Sequence, residues 1–371
     1  MAKPTGRSSR VGLPPSDGGY APSGRRRRSL LSRWWFWLLL GVALQFVPWP
    51  TAWADLVYRD LIHPAWSNVT TSLNNALPLS LAAGLLLAGV TVLVIGLVNG
   101  WRGFRTAVRI VGWTLAIGAL SYPLVFGMGY RTTTLETRLG LDTSWLTAPA
   151  AYQEAAGLVR QAVLATLSES AAQVAALAAL PPPSESGEAA ASRCLSAWLT
   201  TNDVWAGSSL PHRLKTAPRG LLLRFGSAGF VYPWFLEPHT DPALPQPAAL
   251  GVALHEFAHA GGLAREAEAE AAGVLAGLAC DDARVRYAAS LRVASGLANE
   301  LSPEDRATYL AAWPAGAEAD LDAAAAVARQ FRSERLTRAA TDAYDFYLRS
   351  QGTEAGMADY DRALILIIAA L

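Results

Sequence analysis

The sequence predicts a mainly α-helical membrane protein: three N-terminal transmembrane helices, then a helical domain with one small β-hairpin. Three observations predict it. Hydrophobic residues make up 52% of the chain and charged residues only 16%, a balance that points to a bilayer rather than water around part of the molecule. Three uncharged runs, each near the ~20 residues that cross a hydrocarbon core, lie within the first 130 positions. Beyond them, alanine- and leucine-rich segments recur with helical spacing, and one short apolar, aromatic region reads as strand.

In chain order, residues 1–29 contain Pro, Gly and Ser without apolar periodicity and end in Arg25–Arg28, which predicts a disordered basic tail. Residues 1–33 hold eight Lys/Arg against Asp17 alone, leaving 23 basic and 29 acidic residues in the rest. An apolar run follows the four arginines directly, so they read as a cytoplasmic topology signal and no nucleic-acid partner is expected. The membrane anchor is expected over 30–130, with spans at about 30–49, 77–99 and 110–130. Trp34 and Trp49 mark the ends of the first span at headgroup depth, and its aromatic core and the later spans favour an uncleaved anchor over a signal peptide. The segment 101–109 reads as a short loop with Arg102, Arg105 and Arg109, and 51–76 as a loop on the opposite side. Positive residues stay inside, which predicts a multi-pass protein of the cell membrane with residues 131–371 extracytoplasmic and the lipid bilayer as a partner. Pro123 is expected to kink the third span.

Residues 131–180 carry the helical spacing Tyr152, Ala156, Val159, Val163, Leu167, and Pro181-Pro182-Pro183 ends them. A helix through Cys194 and Trp198 follows. The apolar runs 220–225 and 229–235 flank Gly226-Ser-Ala-Gly229 and read as a hairpin. Glu237–Pro245 reads as a loop, and 283–350 as helix interrupted at Pro303 and Pro314. Cys194 and Cys280 either form a disulfide, which an extracytoplasmic compartment permits, or remain two buried thiols.

The chemistry concentrates at His255-Glu256-Phe-Ala-His259, an H-E-x-x-H pattern inside an apolar helical run. Residues four apart share a helix face, so His255 and His259 can offer two imidazoles to one zinc ion, with Glu256 beside it as general base. A solvated helix could carry the same residues idly, but Val252, Ala253, Leu254, Phe257 and Ala258 make this helix apolar, and buried His and Glu need partners. Gly261-Gly262 ends the helix and lets the chain reverse. Glu266 and Glu270 share a face of the next helix, whereas Glu268 points elsewhere. Tyr232, His239 and Tyr360 are further candidates, as substrate or oxyanion contacts, and His239 also as an extra ligand.

Arg265-Glu266-x-x-Ala269-Glu270 resembles the R-E-x-x-A-[DN] segment of several zincin families, which implies Glu266 as third zinc ligand. It places Glu270 at the Asp/Asn position that orients a ligating histidine, with Glu270 as alternative ligand because Glu replaces Asp/Asn. Gly229-Phe-Val-Tyr-Pro233 before the motif and the terminal Tyr347-Leu-x-x-Gln351-Gly352-x-x-x-Gly356-x-x-x-Tyr360 complete an order that resembles the bacterial membrane family called domain of unknown function 3810. The resemblance covers the chain except its basic tail. It implies a zinc-dependent, membrane-anchored, peptidase-like protein and names no reaction; with the motif and the charge topology, the expectation is a zincin-like domain that holds Zn2+ and hydrolyses a peptide or protein substrate outside the cytoplasmic membrane. The competing expectation is a non-catalytic, zinc-stabilised binding or sensor domain.

Overall fold

The computed structural model describes residues 33–205, 207–353 and 356–371, without the side chains of 358–361. The predicted tail, 1–29, lies outside the described residues. The architecture is mainly helical, with one three-stranded sheet.

Among the described residues two helices are long and apolar enough to cross a membrane, where the sequence predicts three. They are Leu81–Val98 and Gly100–Val125. The described part of the first predicted span is the helix Trp34–Leu44, 11 residues and so about 16 Å long, half of a ~30 Å core. Gln45 closes it by donating to the carbonyls of Gly41 and Ala119, both at 2.9 Å, and Pro48 and Pro50 prevent its resumption. Leu81–Val98 buries only Gly96 and leaves Leu86 71% and Val98 82% exposed, an apolar surface of the kind that marks a membrane or partner contact.

The 101–109 segment is not a loop. Asn99 and Gly100 make the whole turn, Gly100 at φ +71°, and the three arginines lie on the first turns of Gly100–Val125. The two long helices can close so tightly because Gly96 meets Gly103 and Ala107. Trp34–Leu44 runs parallel to the second of them, Trp34 against Gly112 and Gly41 against Ala119. Its start therefore lies at the arginine end.

The predicted 51–76 loop is also helical: Thr51–Trp53, a π-wound stretch Ala54–Ile62, and His63–Ala76. Its apolar face carries it into the domain, where Tyr58, His63 and Trp205 pack edge to face. Trp205 donates to His63 Nδ1 at 3.1 Å, and His63 Nε2 reaches the Ala260 carbonyl at 3.2 Å. Buried Lys215 donates to the carbonyls of Asn74 and Leu77 at the helix end.

The core is built by Pro149–Leu177, Gly187–Thr201, Gln246–Ala260, Glu266–Leu278 and Ala283–Asn299, with the final helix Tyr360–Ala370 packed on Glu266–Leu278. Cys194 and Cys280 form a disulfide, Cα atoms 5.4 Å apart, joining the middle of Gly187–Thr201 to the segment just after Glu266–Leu278.

The sheet has the order β1 (Lys215–Thr216), β3 (Glu237–Thr240), β2 (Gly229–Tyr232), with β1 parallel and β2 antiparallel to β3. The hairpin is therefore 229–232 with 237–240, not 220–225 with 229–235. Leu221–Arg224 is a helical turn, because the Asp241 carboxylate accepts from the amides of Gly220, Leu222 and Leu223. Residues 237–240, expected as loop, form the central strand. Pro238 is tolerated there because it faces Val231. The neighbouring Asp241 amide to Ala228 carbonyl bond makes that a non-hydrogen-bonded position.

Candidate functional site

The motif helix Gln246–Ala260 is buried from Leu250 to Ala260. Its chain reverses at Gly261–Gly262, where Gly262 has φ +110° and a Cβ would strike the Trp205 ring at 2.3 Å, so only glycine fits. The second ligand-bearing helix starts at Glu266, three residues later than the double glycine alone suggests. It packs tightly on the motif helix because Gly273 lies against the Leu254 backbone.

This brings three donors together. His255 Nε2 and His259 Nε2 are 3.1 Å apart, and Glu266 Oε2 lies 3.1 Å from the first and 3.2 Å from the second. Ligand atoms at the ~2.0–2.1 Å typical of zinc sit about 3.3 Å apart in a tetrahedron, so the donor triangle has the size a tetrahedral ion requires. The other ring nitrogens are engaged. His259 Nδ1 donates to the Leu263 carbonyl at 2.7 Å and His255 Nδ1 to Glu270 Oε2 at 3.0 Å, which leaves both Nε2 atoms facing the triangle. Glu270 is in turn gripped by Arg292, with Nη2 at 2.6 Å. It touches His255 from behind, outside the three-donor group.

The electrostatics follow from these contacts. Burial alone would lower the His255 imidazole, but the Glu266 and Glu270 carboxylates outweigh it and push it up to about 10. Burial would raise Glu266, yet the facing His259 and His255 hold it well below the usual carboxylate range. Glu270 is likewise held down, against burial, by Arg292 and His255. The triangle thus has a field that favours a cation.

Glu256 differs. Its carboxyl group is raised by burial, only partly offset by His255 and His259, and its Oε2 is buried without a hydrogen-bond partner among the described residues. Space for it exists because residue 229 is glycine: a Cβ there would come within 2.7 Å of Glu256 Oε1, the His239 carbonyl and Val252 Cγ1. Glu256 and the three donors line one cavity of about 550 Å³.

Sequence reasoning missed the tyrosines of this cavity. Tyr344, from the helix Glu334–Ser350, donates to Glu266 Oε1 and so turns the other oxygen of that carboxylate to the histidines. Tyr347 of the same helix bonds Tyr122, and Tyr130 packs against it at 5.8 Å. The Tyr347-Leu348 start of the terminal motif was a partial signal for them. Among the residues that sequence proposed, Tyr232 and His239 are not part of the cavity wall. His239 stacks on Phe230 and bonds Ser80 Oγ at 3.0 Å, and Tyr232 packs on Trp234 and Phe235. Tyr360 has its side chain outside the described residues. Glu268 turns to Arg265, 2.9 Å away, and Arg265 also donates to the carbonyls of Tyr130 and Thr132.

Nothing among curated proteins or solved structures gives a significant match to the chain. The family model described as "Protein of unknown function (DUF3810)" matches residues 58–368, a region that includes both long apolar helices, the sheet and every donor named above. The chain belongs to that family.

Proposed function

We propose that this chain is a membrane-anchored, zincin-like metallopeptidase that hydrolyses peptide bonds on the extracytoplasmic side. The observation that carries the reading is the Glu256 carboxyl group, whose Oε2 is buried without a hydrogen-bond partner among the described residues, in the same cavity as the three-donor triangle. A site that only braced the fold would be closed by a fourth protein ligand; here the group comprises His255, His259 and Glu266, and its remaining side faces the cavity.

Zinc held by these donors supplies a Lewis acid that polarises a carbonyl and acidifies water. Glu256, destabilised as an anion by burial, takes the proton as water oxygen bonds the carbonyl carbon. The same carboxyl then delivers that proton to the departing nitrogen as the C–N bond breaks, giving a carboxylic acid and an amine, and the acid's remaining proton passes to the amine or to solvent. Gly229 and Val231 sit at positions of β2 whose backbone groups point away from β3, and both line the cavity. The Gly229 carbonyl already accepts from the Ser227 hydroxyl, so this edge supports an extended substrate lying along β2 and paired through the Val231 backbone.

The orientation rests on the arginines. Arg102, Arg105 and Arg109 mark the cytoplasmic end, and the domain sits at the other. The deciding experiment compares the purified full chain with Glu256→Gln. Both should bind one zinc per chain, while turnover on a peptide library falls by roughly 10²–10⁴-fold in the variant. Zinc bound equally in both, with no hydrolysis that the substitution diminishes, would leave the non-catalytic zinc domain as the reading.

A further inference from the structure

The walls of the cavity and its place in the fold restrict what can enter. Apart from His255, Glu256, His259 and Glu266, no charged residue lines it among the described residues. Besides the hydroxyls of Ser227 and Thr341 the rest is mostly aromatic and aliphatic, with Phe126, Phe230, Val231 and Met357 prominent. An acidic side chain entering there would lose its hydration and meet the carboxyl groups of Glu256 and Glu266, whereas an apolar one is rewarded by burial.

The same wall ties the cavity to the ends of the long apolar helices. Tyr122, which lines it, is in the last turn of Gly100–Val125, and Phe126 follows directly. Trp234, next to the lining residue Pro233, donates from Nε1 to the Gly118 carbonyl of that helix at 3.0 Å and packs on the Tyr122 ring. The other long helix is held at its start: the Leu81 amide donates to Glu237 Oε2 at 2.9 Å, and Ser80 bonds His239. The β2–β3 hairpin is thereby fixed, through its turn and through β3, to the same end of the helical pair, the end away from the arginines. Trp66, whose Nε1 donates to the Trp234 carbonyl at 2.9 Å, lies at this level with Trp234 and Tyr122. Such an aromatic layer belongs at the headgroup depth of a bilayer.

We infer that the substrate is a polypeptide anchored in the same bilayer, engaged where it leaves the membrane, and that it places an uncharged apolar side chain against Phe230 and Phe126. The inference rests on the proposed hydrolase reading for what happens to the segment, and on the two helices crossing a membrane for where it is met. A soluble peptide reaches the site only from bulk solution. An anchored one is confined to the layer in which the cavity opens, which raises its effective concentration.

The test uses the full chain with Glu256→Gln in phosphatidylcholine/phosphatidylglycerol nanodiscs, carrying a photocrosslinking phenylalanine analogue at position 230. Three peptides share one leucine-bearing segment. The first has it directly after a single transmembrane helix, the second has a 40-residue Gly/Ser spacer between helix and segment, and the third is soluble and acetylated. The first should crosslink about tenfold or more above the other two at equal concentration, and Leu→Asp in its segment should lower the yield by at least about tenfold. Equal crosslinking of all three, or indifference to Asp, overturns the inference. Cleavage by the chain with native Glu256 is then scored on the same peptides. Equal cleavage of the soluble and the directly anchored peptide overturns the inference and leaves the peptidase reading intact. Selective crosslinking without cleavage supports the inference and removes the peptidase reading.

Discussion

The division of labour between Glu266 and Glu270 predicts two distinct losses of zinc. In Glu270→Gln the amide oxygen can still accept from His255 Nδ1, across the 3.0 Å separation of the native pair, but the negative charge behind the imidazole is gone. Arg292, 38% exposed in its side chain, keeps its hydration and adds no large penalty of its own. The change therefore removes orientation and basicity from one ligand without removing a ligand. Outer partners of metal-bound histidines are worth about 10–100-fold in affinity, or ~1.4–2.7 kcal/mol. Glu266→Gln takes away the anionic donor that lies 3.1 and 3.2 Å from the two imidazoles, and zinc affinity should fall beyond that range. The assay is competition against a zinc-chelating dye of known affinity, on both full-length variants in detergent, with circular dichroism to confirm folding. Zinc retained at native affinity in Glu266→Gln and abolished in Glu270→Gln would refute the assignment and move the third ligand one helical turn along.

Three further outcomes are expected. Gly229→Ala puts a methyl group 2.7 Å from two oxygens and a methyl carbon, so chemical denaturation should show a loss of about 1–3 kcal/mol, with peptide turnover reduced because Glu256 must move; unchanged stability and turnover would mean that β2 yields freely. His63 is held down to about 4 by burial. Its neutral form contributes stability above the unfolded value near 6.5, and this is lost as pH falls towards 4. Thermal unfolding across that window should reveal up to roughly 3 kcal/mol, and His63→Gln should flatten the slope; an equal slope in that variant would assign the effect to another group. Replacing both cysteines by serine opens a bridge between residues 86 apart in sequence and should lower stability by about 2–5 kcal/mol, with reductant then having no additional effect on the variant.

What could be read from the sequence was what is local. His255, Glu256 and His259 fix each other through helical spacing, and Glu266 and Glu270 follow because a double glycine and one further turn separate them from the motif. Tyr344 and Tyr122 escaped notice because they reach the site from 78 residues after Glu266 and from the end of an apolar helix, distances over which no spacing rule operates. The Leu221–Arg224 turn looks like a strand until Asp241, 21 positions away from Gly220, caps it. Pro238 made the central strand look like a loop. Its place becomes intelligible only when its partner, Val231, is known. Between the two long apolar runs, three arginines suggested a loop because the rule that counts charges is silent on backbone shape. The helix begins at Gly100 regardless.

The spacing between the two ligand-bearing helices is set by residues with no functional group at all. A β-carbon on Gly273 would lie 3.0 Å from the carbonyl carbon and oxygen of Leu254, directly before His255. One on Gly277 would lie 2.6 Å from Ala289 and 2.7 Å from the Leu254 side chain. These glycines act as a gauge: they set how near the carboxylate of Glu266 comes to the imidazoles, to a tolerance finer than one methyl group. The alanine- and glycine-rich run 266–278, the plainest stretch of the domain by composition, therefore calibrates the bite of its donors. Enlarging it by a single carbon would detune the centre while leaving every reactive atom in place.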